Sequence, residues 1–199
     1  MRALLVSLLL VCGGGLAASR FAPRITRVEV SGNQHLSRAQ VLELADVKPG
    51  DPFLWVTSFR MRHLMKDPWV RKVRVMRYWP HTVTITVWER QPVLSDGTTA
   101  WAQDGTVLPG VTASEAQTLP HLTGWGPPRV DEALTLLRLL HAYGPKVIGY
   151  SPEGFEIQLT GTSLFTPSAE ALEQQWAAFE SHRGGRVAVY PWGVSKAHE

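Results

Sequence analysis

The chain has 199 residues, 44% hydrophobic and 19% charged, a globular composition with room for one ordinary domain or two small ones. Its one cysteine, Cys12, excludes an intramolecular disulfide framework and a multi-cysteine zinc site. The formal charge of +3 is uneven: residues 60–90 hold eight Lys or Arg against two acids, a net +6, so the rest sums to −3.

Ala3–Ala18 carries no charge and is interrupted only by Ser7 and three glycines. As a helix it would be ~24 Å long, short of a ~30 Å hydrocarbon core. Two readings compete. One is a secretion signal cleaved near Ala17-Ala18-Ser19; the other is a retained membrane helix, with Arg20 snorkelling and Phe21 at the interface. Both send the rest of the chain out of the cytoplasm.

Residues 25–31 read as a short strand with Val28 and Val30 inward, and Gly32-Asn33 as a turn. Ser37-Arg-Ala-Gln40 has the form of a capping box, opening a helix whose apolar face is Val41, Leu42, Leu44 and Ala45. A second helix is predicted over 58–66, burying Phe59, Leu64 and Met65. The stretch 67–92 then reads as a hairpin around a Trp79-Pro80-His81 corner. Val73 and Val75 share one face of its first strand, and Val83, Ile85 and Val87 one face of its second. The order strand, helix, helix, strand, strand packs two helices on a three-stranded sheet. Arg71, Lys72, Arg74 and Arg77 crowd the first hairpin strand. A solvated face explains any one of them; docking to anionic headgroups or an acidic partner explains their concentration.

A composition shift at Pro92-Val93 marks a boundary, giving segments 1–24, 25–91 and 92–199. Beyond it, strands flank the Asp104-Gly105 turn, and a helix over 131–142 carries Ala133, Leu137 and Leu140 on one side. A strand over 155–160 turns Phe155, Ile157 and Leu159 inward. Thr166-Pro167 is expected to open a helix with Thr166 as its cap and a buried stripe of Ala169, Leu172, Trp176 and Phe179. The last predicted strand is 186–190, followed by Trp192 and a polar tail. Its Val187, Ala188 and Val189 carry no charge, so it is expected to be an edge that a partner strand completes. The competing readings are a central core strand, or a tail from Ser195 folding back over it. The fold class is therefore α+β: an apolar N-terminal segment that is either a cleaved signal or a membrane helix, a β-α-α-β-β domain, and a second α+β domain with a mostly antiparallel sheet.

No chemistry is legible. There is no Gly-x-Ser-x-Gly elbow, phosphate loop or dinucleotide fingerprint, and the seven histidines include no His-x-x-x-His pair. Asp104 with Glu115, or Asp131 with Glu132, are better explained as turn and helix-start acids than as catalytic pairs. The eight tryptophans are expected mostly in the core, with Trp192 at the surface. No enzyme, cofactor, metal, small-molecule substrate or nucleic acid is implied.

The Pro-Trp-Val start at 68–70, the Trp-Pro corner and the Glu89-Arg90-Gln91-Pro92 ending together resemble the FtsQ/DivIB bacterial cell-division family, in which this hairpin closes a POTRA domain. The Ser-Gly-Asn turn, Leu119-Pro120-His121-Leu122-Thr123-Gly124 and the closing Tyr190-Pro191-x-Gly193 extend the resemblance. Val187 and Val189 depart from it, standing where the family has Asp and Arg, as does the almost absent cytoplasmic tail. The resemblance implies a non-enzymatic scaffold of the septum, anchored in the cytoplasmic membrane by a single pass with its bulk outside. It implies FtsB/DivIC-like and FtsL-like partners, one adding a strand at Arg186, Val187, Ala188, Val189 and Tyr190, with Trp192 beside them. The alternative is a POTRA-bearing assembly factor for outer-membrane proteins.

Overall fold

The computed structural model describes residues 23–182 and 184–197. The Ala3–Ala18 segment lies outside them, and no helix among the described residues is long and apolar enough to cross a membrane. The chain divides into two compact units, one ending at Arg90 and one beginning at Gln91.

The first unit contains β1 (Arg27–Ser31), α1 (Arg38–Leu44), β2 (Val70–Tyr78) and β3 (Thr82–Glu89). The sheet order is β1-β3-β2, with β1 parallel and β2 antiparallel to β3. The strand with the cleanest alternation is the central one, because only there do both neighbours fix which side chains face inward. Val83, Ile85 and Val87 are buried, as are Val28 of β1, Val41 of α1 and Ala45 just after it. The capping box forms as the sequence predicts: Ser37 Oγ accepts the Gln40 amide at 3.3 Å, and Gln40 Oε1 accepts the Ser37 amide at 2.9 Å. Gly32 has φ +80°, and a Cβ there would lie 2.1 Å from the Val87 carbonyl oxygen, so the turn after β1 admits only glycine.

The helix predicted over 58–66 is instead two short 3-10 turns, Arg60–Arg62 and Leu64–Lys66, after a third at Phe53–Trp55. The buried residues are Met61 and Leu64, while Phe59 and Met65 are exposed. Met61 and Leu64 stand three apart, so a helix of three residues per turn puts both inward in a segment that Asp67-Pro68 cuts short.

The second unit is a nine-stranded sheet in the order β12-β11-β10-β9-β8-β7-β4-β5-β6. Its strands are β4 (Pro92–Ser95), β5 (Ala100–Ala102), β6 (Val107–Leu108), β7 (His121–Gly124), β8 (Val147–Ser151), β9 (Gly154–Leu159), β10 (Thr162–Thr166), β11 (Gly185–Tyr190) and β12 (Gly193–Ala197). The pairs β4–β7, β7–β8 and β10–β11 are parallel and the rest antiparallel. Helices α2 (Ala113–Ala116), α3 (Val130–Leu139), α4 (Ala169–Gln174) and α5 (Trp176–Ser181) complete it. One core joins Ala133, Leu136 and Leu140 to Leu172 and Phe179, and to Ile148, Phe155, Ile157, Leu164, Val187 and Val189 of the sheet.

Two local expectations change. Thr166 is the last residue of β10, paired with Phe155, so it is buried in the sheet and does not cap a helix. Ser168 is the cap, its Oγ accepting the Ala171 amide at 3.1 Å. The tryptophans are not mostly core: Trp69 is buried, but Trp55, Trp79, Trp88 and Trp125 are exposed along with Trp192. The acids take the turn and helix-start places expected of them. Asp104 accepts the Thr106 amide, Glu115 the Thr112 amide, and Glu132 binds Arg129.

Candidate partner interface

Strand β11 runs from the helix side of the sheet to its open side in alternate steps. Val187 pairs with Leu164 and Val189 with Val194, and both valines are fully buried. Arg186, Ala188 and Tyr190 take the other face. Arg186 reaches Glu156 across the sheet at 3.0 Å, an exposed pair that contributes little to stability. The ring of Tyr190 lies 5.0 Å from that of Trp192 at an interplanar angle of 9°, and 5.8 Å from Phe165. The result is an aromatic ladder with its outermost ring, Trp192, 80% exposed.

The expectation that Arg186–Tyr190 is an edge is corrected. It has β10 on one side and β12 on the other, in the register Ala188 to Ser195 and Val189 to Val194. Pro191-Trp192 turns the chain back, and the supposed polar tail forms the covering strand. Of the six residues expected to meet a partner, Val187 and Val189 are therefore core, Arg186, Ala188 and Tyr190 lie on β11 one strand in from the sheet's end, and Trp192 sits in the turn leading to that end strand. That edge is β12, five residues long and the last strand in the sheet order. The opposite end strand, β6, has two residues, too short to template another chain. Sequence reasoning missed β12 because Gly-Val-Ser-Lys-Ala has no alternating apolar set.

The basic cluster of the first unit also divides by face. Register with β3 sets Arg77 opposite Val83, on the helix side, where its Nη1 donates to the Leu54 carbonyl at 3.3 Å. Lys72 and Arg74 share the open face, opposite Trp88 and Thr86, and lie 5.4 and 5.7 Å from the centre of the Trp88 ring. Arg71 sits at the β-bulge between Val70 and Lys72, exposed. The neighbouring Arg60 is already engaged, 2.8 Å from Asp46 and 3.1 Å from Asp51. Its hydrogen bond and charge hold the Asp46 carboxyl below its ordinary value. Among the described residues, no three His, Cys, Asp or Glu gather as a metal site.

Residues 24–90 match the family described as POTRA domain, FtsQ-type. The chain is similar to proteins named Cell division protein FtsQ. In Geobacter sp. (strain M21) the identity is 36% over 106 residues, covering 51% of this chain and 39% of the relative. In Streptomyces coelicolor it is 44% over 96 residues, 46% of this chain and 36% of the relative. In Mycobacterium bovis it is 31% over 156 residues, 71% of this chain and 48% of the relative. The alignments thus span less than half the length of each of these relatives. The resemblance to the FtsQ/DivIB family carried by the hairpin motif is shown by these matches.

Proposed function

We propose that this chain, with its FtsQ-type POTRA domain over residues 24–90, is a non-enzymatic scaffold of bacterial cell division, held in the cytoplasmic membrane with its bulk outside and gathered at the septum. Its partners are FtsB/DivIC-like and FtsL-like proteins, one of which adds a strand alongside β12. The observation that carries this reading is the end strand Gly193–Ala197 beside the Tyr190–Trp192 stack. Backbone donors and acceptors on an end strand need a partner or water, and an added strand supplies one along the whole row. The Tyr190–Trp192 stack at the turn into β12 gives the incoming strand an aromatic contact that helps fix its register. Lys196 is the one charge on β12, so it guards the edge against indiscriminate pairing.

Consecutive residues of an edge strand present their amides alternately inward and outward. Proline placed singly at Val194 and at Ser195 therefore removes an outward donor in one variant and a β11-facing donor in the other. The outward variant is expected to keep the melting temperature and lose capture of the FtsB/DivIC-like partner. Retained capture by both folded variants refutes strand addition at β12.

A further inference from the structure

In the first unit, the 3-10 turns leave large apolar side chains outside the core. Leu54 is 52% exposed, Trp55 56%, Phe59 67% and Trp79 71%. Leu54, Trp55 and Phe59 line a single open groove, and Trp79, from the β2–β3 corner, packs edge-on against the buried Phe53, the residue before Leu54, with ring centres 5.8 Å apart. Two arginines frame the patch: Arg62 lies over the Phe59 ring at 3.6 Å, and Arg77 holds the Leu54 carbonyl. The nearby acids Asp46 and Asp51, the latter lining the groove, share Arg60, which offsets one of their two charges; with Arg62 and Arg77 the five groups sum to +1. An exposed set of Trp, Phe and Leu rimmed by arginine matches the interfacial zone of a bilayer, where indole rings sit at headgroup depth and guanidinium groups meet phosphate.

The chain's path selects lipid over a protein partner. The Phe53 amide donates to the Pro23 carbonyl at 3.0 Å, the Ile25 amide donates to the Asp51 carbonyl at 2.9 Å, and Arg24 bridges to Pro52. The segment bearing Leu54 and Trp55 is thus tied to the start of the described chain. Pro23 is five positions beyond Ala18, the end of the uncharged run, a reach of at most ~18 Å.

We propose that Leu54, Trp55, Phe59 and Trp79, with Arg62 and Arg77, form a docking face that lies in the headgroup layer of an anionic membrane. The face rests on the reading that Ala3–Ala18 holds the chain in the bilayer, and it would fix the orientation of the first unit to the membrane plane.

The test uses the full chain with Cys12→Ser and a reporter cysteine, reconstituted with vesicles of equal parts phosphatidylglycerol and phosphatidylcholine. Thr57→Cys, exposed between Trp55 and Phe59, reports the patch; Gln34→Cys, exposed by the far end of β3, is the control. Labelling by a water-soluble maleimide is expected to slow about five-fold or more at position 57, and not at 34, against the vesicle-free rate. Adding Trp55→Ser and Phe59→Ser should restore the rate at 57. Unchanged labelling at 57 overturns the proposal, and protection that appears only in native membranes assigns the patch to a protein instead. Flotation after an alkaline wash reads the anchor separately. A chain released by the wash but still protected at 57 keeps the docking face and loses the anchor, whereas a retained chain with no protection does the reverse.

Discussion

The carboxylate of Glu89 accepts the main-chain amide of His35 at 2.6 Å, across 54 residues of chain. It also takes the amides of Gln34 and Leu36, each at 3.0 Å, so one side chain at the end of β3 gathers three successive donors from the turn before α1. The ring of His35 stacks on Trp69 at 3.6 Å. Arg90 completes the arrangement, donating to the carbonyls of Pro68 and Val70. The Glu-Arg pair that marks the hairpin is thus a clasp within the first unit.

Replacing Glu89 with alanine is expected to destabilise the first unit by about 2 kcal/mol, since hydrogen bonds to a charged group are lost while water reaches the exposed turn. Glutamine retains one acceptor oxygen and should cost roughly half as much. Denaturant unfolding followed by intrinsic tryptophan fluorescence measures both; equal losses from the two would show that charge, not acceptor number, matters.

In the second unit Arg129 has a comparable place. It lies 4.2 Å over the Phe155 ring, pairs with Glu132 at 2.6 Å, and donates to the carbonyls of Ser151 and Pro167. Glu132 in turn accepts the Ala169 amide at 3.0 Å, which ties the starts of α3 and α4 together. Arg129→Ala should cost about 3 kcal/mol, because it strands a half-buried carboxylate and two carbonyls. Arg129→Lys should recover little, since an ammonium cannot serve those partners at once. Thermal unfolding of both variants tests this.

Lys72 and Arg74 contribute to surface chemistry more than to folding. Their contacts with Trp88 are exposed and worth about 0.5 kcal/mol each. Reversing both to glutamate should shift stability by less than about 1 kcal/mol. The same change should weaken binding to anionic vesicles or an acidic partner, with a flatter salt dependence. Unchanged binding in the folded double variant returns the pair to a solvated face.

Asp96 supplies the pH dependence. Partial burial alone would push its carboxyl up, but the amides of Thr99 and Thr98 and the Thr98 hydroxyl outweigh it and hold it below its ordinary value of 3.8. Distances of 2.7 to 2.8 Å to those donors show why. A carboxylate depressed on folding stabilises the folded state above its unfolded value and loses that contribution as pH falls through the folded one. The β4–β5 turn should therefore weaken below about pH 4. Asp96→Asn should remove that part of the acid sensitivity, read as a smaller loss of melting temperature between neutral and acid pH.

The sequence by itself determined the elements whose signals are local. Alternation in Thr82–Trp88 placed Val83, Ile85 and Val87 inward because successive side chains of a strand must part. Ser37 and Gln40 announced a helix start because the capping bonds span three residues. The helix read over 131–142 is shorter, Val130–Leu139, followed by a 3-10 turn, His141–Tyr143, that Gly144 closes with a left-handed φ of 59° cheap only for glycine. Those same rules failed where tertiary contacts chose. Phe59 and Met65 fit a helical face, yet three-residue turns buried Met61 and Leu64 and left the aromatic ring outside. Arg186–Tyr190 looked like an edge because nothing local in Gly193–Ala197 asks to be a strand; pairing with β11 alone makes it one. β12 becomes the end strand by pairing back on β11 across the Pro191-Trp192 turn, a pairing that the side chains of Gly193–Ala197 do not signal, and so the candidate interface became visible only in three dimensions.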